Sequence, residues 1–382
     1  MSLPVFDGLS YGWRTAILSV AVAQLLSIAV ALLRPVQNRI ANRALAALLV
    51  ATAGVVTPWM IGFAGFYDKW QWLSFSPFSI TLAICPLFYI YVYALTEGRA
   101  PRRMLLHLAP AILQVVYLSV CFIVLRQPVK NDFLGAQAPL YGFLTAAGVI
   151  GGCIAYGAAS QKLLKRYRSE LARQRSDDHR YAAEWISRSI LALGVFLLAW
   201  IGFSIADMIS PLGYRGFMGL YVVIAAFALY LAIEGWRHAS LAFPPRAALV
   251  EAASNFAGSE ETDAAGRNWS ALGAEWQARV KAARWHADPS ITIADLARRL
   301  GTNTGYLSRA LNEGLGVNFS TFINGLRCED VAQRLASGDR RDLLTLALEA
   351  GFSSKASFNR AFAARFGVTP SQYRLRAGSN PE

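Results

Sequence analysis

Two short stretches of this chain carry polar side chains at the spacing of a single helix face. Thr304, Ser308 and Arg309 form the first set, and Ser354, Lys355 and Asn359 the second. Their hydroxyl and amide groups donate and accept hydrogen bonds and their cationic groups donate them, but none has a base or metal ligand beside it. They suit reading, because amide, guanidinium and hydroxyl groups can pair with base edges in a major groove. Arg360 and Arg365, on the same stretch as the second set, suit phosphate oxygens, which position a protein on a duplex without specifying sequence. From residue 267 to 376 sixteen Lys and Arg stand against nine Asp and Glu, and between Lys355 and Arg376 there is no acid. Such a field favours phosphate through counterion release. Catalysis finds no constellation. His107, His179, His238 and His286 are scattered, without the spacing that holds a metal. Cys85, Cys121, Cys153 and Cys328 form no metal or disulfide framework. The expectation is no enzyme, no metal and no cofactor.

Short helices must hold these side chains. Ile293, Leu296, Ala297 and Leu300 make one apolar stripe, with Thr292 as its cap and Gly301 as its stop. Asn303 caps a second helix that turns Tyr306, Leu307, Ala310 and Leu311 inward and leaves Thr304, Ser308, Arg309 and Asn312 outward. Helix, glycine-containing turn and helix is the helix-turn-helix pattern. It returns about fifty residues later, where Leu343, Leu344, Leu346 and Ala347 lead to Gly351. Ser353 or Ser354 then caps a helix with Phe358, Phe362 and Phe366 inward and Lys355, Ala356, Asn359 and Arg360 outward. Residues 318–337 read as one helix connecting the two units. Upstream, Trp269, Leu272, Trp276, Val280 and Ala283 mark one helix face. That face either packs on the domain that follows or forms a dimer seam.

The stretch Gly351-Phe-Ser-Ser-Lys-Ala-Ser-Phe-Asn-Arg-Ala-Phe362, followed by Phe366-Gly-Val-Thr-Pro-Ser-Gln-Tyr-Arg374, resembles the signature of AraC-type transcription regulators. Leu296-Ala297, Tyr306-Leu-Ser-Arg309 and Arg327 fit the same pattern, and the resemblance covers about 100 residues. Val331 departs from it, since the family usually places an alanine there, which touches packing only. Asn312, Asn318-Phe319 and Asn324 resemble the subgroup that carries this domain on a multi-helix membrane region. Cys85-Pro-Leu-Phe-Tyr-Ile-Tyr91 and His107-Leu-Ala-Pro110 look like that subgroup's third and fourth helices. The resemblance implies cytoplasmic binding of double-stranded promoter DNA by two recognition helices. RNA polymerase and a second copy of the chain are further expected partners.

The rest of the 382 residues differs in kind. The chain's mean hydropathy is positive and only 16% of its residues are charged, against about 25% in soluble domains. Seven apolar stretches are long enough to cross a bilayer: 15–33, 44–66, 77–96, 105–125, 138–160, 186–208 and 216–235. The segments 34–43, 99–103 and 162–180 hold thirteen Lys and Arg. The alternate segments hold four: Lys69, Arg126, Lys130 and Arg215. Positive loops stay in the cytoplasm, so the N-terminus is expected outside and the C-terminal half inside, in a bacterial inner membrane. Trp59, Phe63, Phe66, Trp70 and Trp72 crowd the outer side. They read as an interfacial belt or as an outward pocket for a small-molecule or envelope signal.

The expected fold is all-α: a seven-helix transmembrane bundle over 1–240, a linker over 241–266, and a tandem helix-turn-helix domain over 267–382 with its core at 285–376. The expected function is a membrane-bound one-component sensor that regulates transcription. The alternative is a transporter or channel with a fused regulatory module, which the scarcity of buried charge disfavours. The basic loop 162–180 reads as a topology determinant, or as a dock for the acidic residues Glu260, Glu261 and Asp263.

Overall fold

The computed structural model describes residues 8–210, 212–254 and 268–378. Glu260, Glu261 and Asp263, the expected dock for the basic loop, lie outside the described residues. The described chain is helical throughout, without a strand; one isolated bridge pairs Arg175 with Thr292. It divides into two compact units, residues 1–164 with 184–243, and residues 165–183 with 244–382.

In the first unit the helices Trp13–Ala31, Arg39–Phe63, Ile84–Glu97 and Met218–His238 pack together, burying Leu18, Leu25, Leu45, Leu49, Val56 and Leu231. Elsewhere the unit is apolar on its outside. Leu113, Ile123, Phe143, Leu191, Leu198 and Met208 are all exposed. In the helix Glu184–Ile209 only 11% of the most apolar window is buried. Apolar surface on this scale marks a face that meets a membrane or a protein partner.

Among the described residues six helices are long and apolar enough to cross a membrane, against the seven expected. The difference falls on the third stretch, 77–96. There the helical segment Thr81–Glu97 opens with a single 3-10 turn, and its α-helix begins only at Ile84. Its 17 residues would span about 25 Å, short of a hydrocarbon core of about 30 Å. The preceding residues are irregular, with Phe75 in the left-handed region at φ 64° and Pro77 two residues on. This segment lies close on its neighbour: a Cβ at Gly54 would collide with the backbone carbonyl of Phe78. The fifth stretch is longer than expected, a continuous helix Val129–Gln174 of 46 residues.

The second unit builds the tandem domain around two cores. Trp276 and Val280 of the helix Trp269–Ala282 enter the first core with Ile293, Leu296, Leu307, Leu311 and Phe322, and Trp269 and Leu272 pack against it. The upstream stripe is therefore an internal face of this domain. The second core gathers Val331, Leu335, Leu346, Phe352, Phe358 and Phe362. Both lie along the connecting helix Phe319–Ala336. Caps fix where each helix begins. Thr292 and Asp295 form a reciprocal capping box. Asn303, Asn318, Asp342 and Ser354 each accept from a first-turn amide.

Candidate nucleic-acid interface

The two helices expected to read DNA are Thr304–Arg309, continued by one π-turn Ala310–Gly314, and Lys355–Phe366. On the first, Ser308 is half-buried and Arg309 exposed. Ser308 Oγ accepts from Asn312 at 3.1 Å, and Arg309 reaches Glu313 at 3.0 Å while lying 4.7 Å over the Trp269 ring. Thr304 differs from the outward placement expected of it. It is only 3% exposed, at the start of a helix against which Arg246–Ser254 packs. On the second, Lys355, Asn359 and Arg360 are exposed. Ser354 is exposed too, but its Oγ is engaged in the cap of Ser357. Arg365 pairs with Glu329 at 2.7 Å. The ion pairs of Arg309 and Arg365 are on the surface, and such pairs contribute only about 0–1 kcal/mol, so a phosphate or a base edge can compete for either guanidinium.

What joins the two reading helices is Arg327, whose importance the sequence pattern understates. It is 1% exposed. Its Nε donates to the His286 carbonyl at 2.7 Å, Nη2 to the Asp288 carbonyl at 2.7 Å and Nη1 to Asn324 Oδ1 at 2.9 Å. Its guanidinium also lies 5.7 Å from the Phe352 ring centre. One side chain thus ties the approach to the first helix-turn-helix to the plug of the second. Burial lowers its pKa to about 10, so it remains charged at neutral pH. Burial also lowers the pKa of His286 below its ordinary value, against the pull of Asp330 at 3.8 Å.

The first unit holds a cavity of about 200 Å³ lined by apolar groups that include Phe88, Trp200, Phe217 and Tyr221. Trp59 lines it and stacks on Tyr221 at 4.2 Å. Cys85 and Cys153 face it, their sulfurs 3.2 Å apart. Phe63, Phe66, Trp70 and Trp72 are not among its lining residues. Phe63 lies 6.5 Å from Trp59, Phe66 packs on Trp70 at 5.1 Å, and Trp72 packs on Phe122 at 5.9 Å. The expected aromatic group is thus divided, with one member at the cavity. No group of His, Cys, Asp and Glu able to hold a metal occurs among the described residues.

Residues 296–376 match the family model described as a helix-turn-helix domain. This segment is a helix-turn-helix domain of the AraC type. Over 89 residues the chain is 36% identical to an uncharacterised HTH-type transcriptional regulator of Staphylococcus aureus, covering 23% of this chain and 12% of that protein. It is 35% identical over 89 residues to the HTH-type transcriptional regulator CdhR of Pseudomonas aeruginosa, covering 23% of this chain and 26% of CdhR. The chain therefore spans about a quarter or less of the length of these curated relatives. Among solved structures, the C-terminal domain of AraT, a response regulator from Geobacillus stearothermophilus, is 24% identical. That match covers 29% of this chain and 88% of the other, with a TM-score of 0.25.

Proposed function

We propose that the protein is a one-component transcription regulator embedded in the bacterial inner membrane, whose helical bundle perceives a signal and whose tandem domain reads promoter DNA. The observation that carries this reading is the pair of reading helices held on one connecting helix, the second of them on an acid-free, cation-rich stretch. Two such helices on one body suit successive major grooves, about 34 Å apart along a duplex. Ser308, Arg309, Lys355 and Asn359 are the proposed base readers. Arg360 and Arg365 are the proposed phosphate contacts. Six long apolar helices and their exposed apolar faces support a membrane location. In this reading Thr81–Glu97 completes a seventh crossing by drawing the adjoining irregular segment into the bilayer, and the basic segments 34–43, 99–103 and 162–180 stay inside. The apolar cavity beside Trp59 is the proposed signal site, its lining suited to a small apolar molecule reaching it from the lipid phase.

The test is selection of duplexes from a random library by the full chain in lipid nanodiscs. A defined site at moderate salt is expected. Asn359→Ala should then relax the preference at one position of that site by about 1–3 kcal/mol, roughly 5- to 150-fold. A well-folded chain without sequence preference would overturn the reading. The orientation has its own readout. A reporter fused to the C-terminus should be active only in its cytoplasmic form, and a periplasmic signal would reject the seven-crossing arrangement.

A further inference from the structure

The segment 165–183, made of the end of the helix Val129–Gln174 and the connection to Glu184–Ile209, belongs to the same compact unit as the tandem domain. It is bound there by directed contacts. Arg175 bridges to Thr292. Ser176 Oγ donates to the Ile291 carbonyl at 3.1 Å and accepts from Arg327 Nη2 at 3.1 Å. The Ser176 carbonyl accepts from Asn324 Nδ2 at 3.2 Å. Asp178 accepts from Ser320 Oγ at 2.9 Å. Ser176 is 3% exposed, so the segment is sealed onto the connecting helix.

Its position bears on DNA binding. Asp177, His179 and Arg180 line one side of a cavity whose other side is Ser354, Ala356 and Arg360 of the second reading helix and its cap. Ala356 and Arg360 are four residues apart on the exposed face that also carries Lys355 and Asn359. The first reading helix is covered in a comparable way. Arg246–Ser254 packs against Thr304–Arg309, and its Leu249 is buried, with a carbonyl that accepts from Gln174. Each reading helix therefore has a segment from outside the helix-turn-helix core laid beside it.

We propose that the segment 175–183 is an internal competitor of DNA: while it is docked on Ser320, Asn324 and Arg327, it stands beside the exposed face of the second reading helix, in space a bound duplex needs, and DNA binds only after it leaves. This rests on the reading of the chain as a DNA-binding membrane regulator and supplies its control step. The exclusion is one of volume, because Asp177 at the cavity is paired with Arg175 and Arg180 lines the cavity beside it. Asp177 is satisfied by Arg175 at 2.7 and 3.0 Å, while burial pushes the pKa of Asp178 above its ordinary value, so docking desolvates a carboxylate. A contact of this kind can be tipped by a modest change in the two apolar helices that anchor its ends.

The experiment locks the contact. Asp178→Cys and Ser320→Cys are introduced together in the full chain in nanodiscs. The probe is a duplex selected from a random library by the unsubstituted chain under reducing conditions. The expected result is efficient crosslinking on oxidation, with affinity for the duplex at least tenfold lower and restored by reductant. A companion chain carrying Ser176→Ala and Asp178→Ala should bind the same duplex several-fold more tightly than the unsubstituted protein. Failure of the folded chain to crosslink overturns the docking. Crosslinking with unchanged affinity overturns the competition. If the reduced chain selects no duplex at all, the proposed function fails, and its competition step with it, while the crosslink yield still reports separately on the docking.

Discussion

Replacing Arg327 with alanine is expected to destabilise the C-terminal domain by about 3–5 kcal/mol, through the joint loss of several hydrogen bonds to a buried charge at about 1.5–3 kcal/mol each. The guanidinium serves the His286 and Asp288 carbonyls, Asn324 and Ser176 at once. Removing it strips these acceptors of a charge-assisted donor in a place water does not reach, and an unmet buried polar group costs about 1–3 kcal/mol. Arg327→Lys should recover less than half of the loss, because one ammonium cannot reproduce the planar fork. Hydrogen exchange on the full chain would measure both. Deprotection should spread through Phe319–Ala336 and into the residues around Phe352, and a change below about 1 kcal/mol would contradict the assigned role.

The second large effect is expected at Gly351. Its φ is +101°, and a Cβ there would stand 2.7 Å from the Ala287 carbonyl oxygen and 2.8 Å from that of His286. Gly351→Ala therefore combines a disfavoured backbone region with a collision against backbone that cannot rotate away. Together these should cost about 3 kcal/mol or more. Gly367→Ala is the control. Its φ is +71° and a Cβ there would meet nothing within 4 Å, so only the left-handed penalty of about 1–2 kcal/mol remains. Equal losses in thermal or urea unfolding would show that close approach is not what requires glycine at 351.

The same contrast explains how much of this protein could be read from its sequence. The tandem domain was legible because its signals are local. Thr292, Asn303 and Ser354 cap the helices assigned to them, and Gly301, Gly351 and Gly367 all have positive φ. Phe358 and Phe362 are buried as their spacing requires. Thr304 was misplaced because helical spacing alone gives the side of a helix but not what else packs there. The third apolar stretch forms a shorter helix than its hydropathy implies, because hydropathy adds up residues without registering that Phe75 and Pro77 interrupt the helix before it starts. The docking of Ser176 left no pattern at all. Its partners Asn324 and Arg327 lie about 150 residues away, and a single serine in a basic loop has no periodicity to expose it. The aromatic group divided for a related reason. Trp59 sits within the regular helix Arg39–Phe63, whereas Trp70 and Trp72 follow Gly65, where that regularity has ended.

The helix Val129–Gln174 is unbroken for 46 residues and has no proline after Pro139, a helical rise of about 69 Å, more than twice a hydrocarbon core of about 30 Å. Its last residue is followed directly by Arg175, so the end of the longest helix leads without a spacer into the strap held against Ser320, Asn324 and Arg327.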